Sequence, residues 1–106
     1  MNKKQIELDI LRKIHKEPDI NQRLLASYLG FSVGKLNYCI KSLKNKGLLK
    51  IDNFKKNPKK LNYLYMLTPK GVTEKTKLTI LFMKKKMEEY DELQKELENK
   101  KNKKSK

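Results

Sequence analysis

The run Ala26-Ser-Tyr-Leu-Gly30-Phe-Ser-Val-Gly-Lys-Leu36-Asn-Tyr-Cys-Ile40 leaves this chain few ways to fold. Ala26 is small enough to let a second helix cross close to the first. Gly30 tolerates the positive φ that ends a helix abruptly, and Leu36, Ile40 and Leu43 return at helical spacing to a shared apolar core. Small residue, turn glycine and returning aliphatics in this order are the spacing of a helix-turn-helix.

The flanking segments supply the rest of a small domain. From about Lys3 to His15, Ile6, Ile10, Leu11 and Ile14 recur at helical intervals with Leu8 widening the stripe, which predicts a first helix that Pro18 ends. Asp19-Ile20 is a short extended link able to pair as a minimal strand. Asn21 is a good cap for a second helix through Leu29, with Ile20 packing on Leu25 as a hydrophobic staple. Ser32 caps the third helix, which runs to about Asn45, and Gly47 closes it.

Beyond Gly47 the periodicity changes. Leu48 to Phe54 alternates apolar and polar residues, Lys55 to Lys60 is a basic loop around Asn57-Pro58, and Leu61 to Leu67 is rich in aromatics that favour strands. This predicts a two-stranded hairpin, or wing. Thr68-Pro69 then reads as a cap with proline in the first turn, and no breaker follows between Val72 and about Asn99. The first half of that helix carries Val72, Leu78, Ile80, Leu81, Phe82 and Met83 on several faces, as packing on the domain would require. Its second half keeps only a narrow stripe. Ile80, Met83, Met87, Tyr90, Gln94 and Leu97 step by three and four, the interval of a two-stranded coiled coil, and self-association explains the later ones better than intramolecular packing. Both parallel and antiparallel pairing fit the spacing.

The expected class is therefore mainly α with a small β-hairpin, α+β: a winged helix-turn-helix followed by a long C-terminal helix. Residues 1–71 form the winged-helix unit, 72–99 the dimerisation helix, and 100–106 a basic tail without packing partners, expected to be disordered.

A formal charge of +15 attracts polyanions such as DNA, RNA or anionic lipid. All but Arg12 and Arg23 of the basic residues are lysine, which reflects a general compositional bias, so placement matters more than total. From Ser32 to Lys60 there are nine lysines against one acid, Asp52. The buried stripe of the third helix leaves Ser32, Gly34, Lys35, Asn37, Tyr38 and Lys41 on its outer side, mostly in the turns that enter a major groove. Asn37 suits adenine edges, Lys35 and Lys41 suit guanine or phosphate, Tyr38 offers a hydroxyl or ring, and Gly34 permits close approach. Lys55, Lys56, Asn57, Lys59 and Lys60 at the hairpin tip suit phosphates or an adjacent minor groove.

The order of elements, with Leu-Ala-Ser-Tyr-Leu-Gly-Phe-Ser, Lys-Ser-Leu-Lys-Asn-Lys-Gly-Leu-Leu and Leu-Thr-Pro-Lys-Gly, resembles the winged-helix transcription regulators of the MarR type over Leu8 to about Gly71. In detail it is similar to the small MarR-like regulators associated with exopolysaccharide gene clusters. The resemblance implies a double-stranded DNA-binding regulator, a repressor by promoter occupancy in the simplest case; the stripe on the long helix adds the expectation of a homodimer, and a single cysteine with no signal-like apolar run makes the cytoplasm the expected location. Full-length members carry extra terminal helices that build a dimerisation layer, often with a ligand pocket. This chain starts almost at the first helix of the DNA-binding unit, which leaves little basis for a small-molecule ligand.

Other functions find less support. Cys39 is the single cysteine, more in keeping with an inert core residue than with a redox sensor. His15 stands alone, so neither metal nor cofactor is expected, and no nucleophilic or acid–base constellation points to an enzyme. No uninterrupted apolar run is long enough for a membrane span. The competing readings are a winged-helix adaptor that binds proteins without specific DNA binding, and a single-stranded nucleic-acid binder that uses Tyr63, Tyr65 and the wing.

Overall fold

Each helix begins and ends where a specific side chain or backbone conformation satisfies its terminal groups. The computed structural model describes residues 2–53 and 63–104, in the order α1 (Lys3–Lys16), α2 (Gln22–Leu29), α3 (Val33–Asn45), β1 (Leu49–Asn53), β2 (Tyr63–Leu67) and α4 (Pro69–Lys104). Asn2, Asn21 and Ser32 cap the first three helices by accepting from the backbone N–H groups of Lys4, Leu24 and Lys35, at 2.8, 2.8 and 3.1 Å. α1 stops before Pro18, whose ring disfavours helical geometry at the preceding residue.

The two helix ends that follow use the same device. Gly30 adopts φ 72°; Phe31 N–H donates to Ala26 O at 2.8 Å and Gly30 N–H to Ser27 O at 3.1 Å. Gly47 adopts φ 76°; Leu48 N–H donates to Leu43 O at 3.0 Å and Gly47 N–H to Lys44 O at 2.9 Å. Both are Schellman caps, in which a left-handed residue turns the chain back on the last helical carbonyls. They bracket α3 and fix its entry and exit.

The core lies where α1, α2, α3 and the hairpin converge. Leu8, Ile10, Leu11 and Ile14 of α1 meet Leu25 and Ala26 of α2 and Leu36, Ile40 and Leu43 of α3, with Ile20, Leu48, Leu49, Tyr65 and Leu78 closing the cluster. The expected stripes of α1 and α3 are the buried ones. Ile20 and Leu25 are both interior, as the staple requires.

β1 and β2 pair antiparallel with Leu49 opposite Leu67 and Ile51 opposite Tyr65. The link at Asp19-Ile20 does not become a third strand. Among the described residues the backbone bond to the sheet comes just before it, from Tyr65 N–H to Pro18 O at 3.1 Å, while Ile20 N–H turns back to Glu17 O. Between a proline without a donor and the cap of α2 there is no room for a second ladder bond. The expected strand ends Phe54 and Leu61, and the loop between them, lie outside the described residues.

α4 runs 36 residues, roughly 54 Å at 1.5 Å per residue. It begins at Pro69 and continues as helix through Lys104, past the end expected near Asn99 and into the segment expected to be disordered. Once nucleated on the core, a helix adds each further residue at little cost, and lysines at its C-terminal end suit the macrodipole. Only its first turns pack: Gly71 and Leu78 are buried, Leu81 and Phe82 half-buried, and every described side chain from Met83 onward is exposed. The molecule therefore measures 72 × 26 × 20 Å.

Candidate nucleic-acid interface

With Leu36, Ile40 and Leu43 fixed inward, the remaining positions of α3 follow from the helical period of about 100° per residue. Gly34, Asn37, Tyr38 and Lys41 fall on the opposite side and are exposed, Tyr38 to 76%. Ser32 is exposed at the cap, so the first turn faces solvent with an intact N-terminus. Nothing lies within 4 Å of where a Cβ on Gly34 would sit, which leaves this point of the helix open to a close-approaching surface.

Lys35 sits on the flank. Its Nζ lies 4.2 Å from the centre of the Phe31 ring, a cation–π contact that holds the charge toward the α2–α3 turn. It borders a groove of about 310 Å³ between α1 and α3, floored by Ile6, Ile10, Cys39 and Leu43. The Cys39 thiol is a half-buried part of that floor, in line with a packing role.

The opposite flank carries residues that the sequence pattern alone did not single out. A groove of about 280 Å³ between α3 and the sheet brings Gln22 and Lys44 beside Asn37 and Lys41. Lys44 was detectable, since it lies three and seven residues beyond Lys41 and Asn37 on one helical face. Gln22 was not, because only the crossing of α2 over α3 places it there. The result is one surface with an amide pair and two cations beside the aromatic Tyr38. Lys55, Lys56, Asn57, Lys59 and Lys60 lie outside the described residues.

On α4, Ile80, Met83, Met87, Tyr90 and Leu97 are exposed by 49 to 63%, and Gln94 is exposed with its amide 3.5 Å from the Tyr90 hydroxyl. Packing of the first half on the domain uses Leu78, Leu81 and Phe82. Ile80 and Met83, expected from sequence to share that contact, face solvent instead, because the helix touches the domain along one side only; Val72, 39% exposed, borders a groove with Ile14, Pro18 and Tyr65. Ile80, Met83 and Met87 lie within about 60° of one another around the axis, so one apolar strip extends along the outer face. Leu93, equally exposed, borders this strip and was missed. Its spacing of three from Tyr90 and four from Leu97 was the available signal.

Among the described residues no group of three metal-ligating side chains forms, and His15 Nδ1 lies 2.8 Å from Lys75 Nζ. No described helix is long and apolar enough to cross a membrane.

Residues 3–50 match the family model of winged helix-turn-helix DNA-binding domains. No curated protein matches the chain. Among solved structures, the chain is similar to the PcaV transcriptional regulator of Streptomyces coelicolor, at 20% identity and TM-score 0.64, over 74% of this chain and 54% of that one. It is similar to Streptococcus pneumoniae FabT, solved in complex with DNA, at 21% identity and TM-score 0.62, over 81% of this chain and 58% of FabT. Lactococcus lactis ZitR, a zinc-responsive MarR family member, aligns at 22% identity and TM-score 0.62, over 82% of this chain and 58% of ZitR. The chain spans between 54% and 58% of the length of these three proteins. Its fold is that of the MarR-type winged-helix regulators, as the resemblance implied.

Proposed function

We propose that the protein is a dimeric, sequence-specific double-stranded DNA-binding transcription regulator that represses by occupying a promoter, in the cytoplasm. The observation that carries this reading is the outer face of α3. Gly34, Asn37, Tyr38 and Lys41 project together from a helix whose opposite side is anchored by three buried aliphatics. A rigid helix about 10 Å across with an amide and cations on its leading face suits the major groove, where each base pair displays a distinct donor and acceptor pattern. The winged helix-turn-helix match over α1 to α3 supports the same assignment.

In this mechanism Asn37 and Tyr38 read base edges, while Lys41, Lys44 and Gln22 hold the flanking phosphates and set the register. The Lys55 to Lys60 loop adds backbone or minor-groove contacts. Pairing of two α4 strips covers Ile80, Met83, Met87, Tyr90 and Leu97, and presents two reading helices to successive major grooves roughly 34 Å apart.

Selection of bound duplexes from a random pool tests this directly. The expected winner is a two-fold symmetric site that survives heparin challenge and gives a defined footprint. Enrichment of no sequence, with binding abolished by heparin, refutes specific recognition and favours the adaptor alternative.

A further inference from the structure

We propose that Thr68 is the joint that fixes the angle between the reading helix α3 and the long helix α4. Through that angle it sets the half-site spacing a dimer accepts, a consequence that rests on the function proposed above.

The residues just beyond α3 are gripped by those that start α4. The Thr68 hydroxyl donates to Gly47 O at 2.6 Å and accepts from Gly71 N–H at 3.0 Å. Thr68 N–H donates to Leu48 O at 3.1 Å, and Lys70 Nζ donates to Lys46 O at 3.2 Å. Gly71 packs so closely that a Cβ there would stand 2.1 Å from Leu48 O. Residues 46–48 leave the C-terminal cap of α3 and residues 68–71 open α4, so this clasp ties the two helices at the foot of the hairpin, beside the Leu49–Leu67 pair, and adds to the packing of α4 on α1.

One hydroxyl serves both sides of the tie. A hydroxyl both donates and accepts from a single small atom, so Thr68 caps α4 and at the same time holds the carbonyl that follows α3. A purely accepting side chain would satisfy the helix end and lose the bridge. The leverage is large. Met87, at the middle of the exposed strip, lies 16 residues beyond Gly71, roughly 24 Å along the helix, so a rotation of about 10° at the clasp displaces it by about 4 Å. That exceeds the rise of about 3.4 Å per base pair.

Two measurements test the joint. Spin labels at Asn45→Cys and Glu89→Cys, in a Cys39→Ser background and diluted with unlabelled chains, report the α3–α4 distance within one molecule without DNA. A narrow distribution is expected for the parent and for Thr68→Ser. Thr68→Asp keeps an acceptor for the cap but has no proton for Gly47 O, and is expected to broaden the distribution about twofold.

Duplexes carrying the selected half-sites at spacings varied one base pair at a time supply the second readout. The parent and Thr68→Ser should show one sharp optimum. Thr68→Asp should lose about tenfold at that optimum and flatten the profile, with affinity for an isolated half-site changed less than twofold, because only the effective concentration of the second contact falls. An unbroadened distance in Thr68→Asp overturns the joint. An unchanged spacing profile, or a loss on half-sites equal to that on full sites, overturns its role in spacing. If the parent binds no symmetric duplex, the proposed function fails while the distance measurement still decides on the joint.

Discussion

Two glycines in helices of this protein should respond to the same substitution with opposite signs. In Gly34→Ala the new methyl meets nothing within 4 Å, so the change should raise stability by about 0.5–1 kcal/mol, the usual advantage of alanine over glycine in a helix. In Gly71→Ala the methyl would meet Leu48 O at 2.1 Å and Leu48 C at 3.0 Å, well inside van der Waals contact. Both partners are backbone, so relief requires α4 and the start of the hairpin to separate by more than about 1 Å. Overpacking of that kind costs about 1–3 kcal/mol, and separation also stretches the Thr68 bonds to Gly47 and Leu48, worth about 1 kcal/mol each. After subtracting the helix propensity gain, a net loss of about 2–4 kcal/mol is expected. For a domain of this size that corresponds to a fall in Tm of about 10–25 °C, against a rise of a few degrees for Gly34→Ala. Thermal melts followed by circular dichroism at one protein concentration make the comparison. A Gly71→Ala variant that melts at or above the parent would refute the argument, since it would show that α4 does not press on Leu48.

Asn37→Ala should relax sequence preference in competition binding, whereas Lys59→Ala should weaken all duplexes alike and reduce the salt slope by about one; equal losses on cognate and random DNA for both contradict the division of roles. Met87→Asp should weaken self-association at least about tenfold by sedimentation equilibrium, since a charge would enter the paired strip; because Met87 is 63% exposed in the isolated chain, far-UV circular dichroism should stay unchanged. Ser32→Ala removes the acceptor that holds Lys35 N–H at 3.1 Å and should cost about 1 kcal/mol, read as a lower urea midpoint with unchanged m-value.

Local chemistry made much of this protein legible from its residues alone. Asn21, Ser32, Gly30, Gly47 and Pro18 act on backbone groups within a few positions of themselves, so helix starts and stops could be placed before any tertiary contact was known. The apolar periodicity of Leu36, Ile40 and Leu43 settled which side of α3 faces inward, and hence that Asn37, Tyr38 and Lys41 face outward. What periodicity could not supply was which face of α4 finds a partner. Leu78, Ile80, Phe82 and Met83 look alike in sequence, and only the one-sided contact of that helix with α1 and β2 separated Leu78 and Phe82 from the exposed strip.

The same limit explains what the residues alone left open. Gln22 joins Asn37 and Lys41 because α2 crosses α3, and Lys35 is drawn aside by the ring of Phe31. Gly71 and Thr68 appear in sequence as an ordinary helix start, yet their consequence is contact with Gly47 and Leu48 more than 20 positions away. Short-range hydrogen bonds and side-chain period determined the elements and the outward face of α3. The angle at which those elements meet came from close approach between distant stretches of backbone, where steric exclusion acts over a few tenths of an ångström and leaves no periodic trace in the chain.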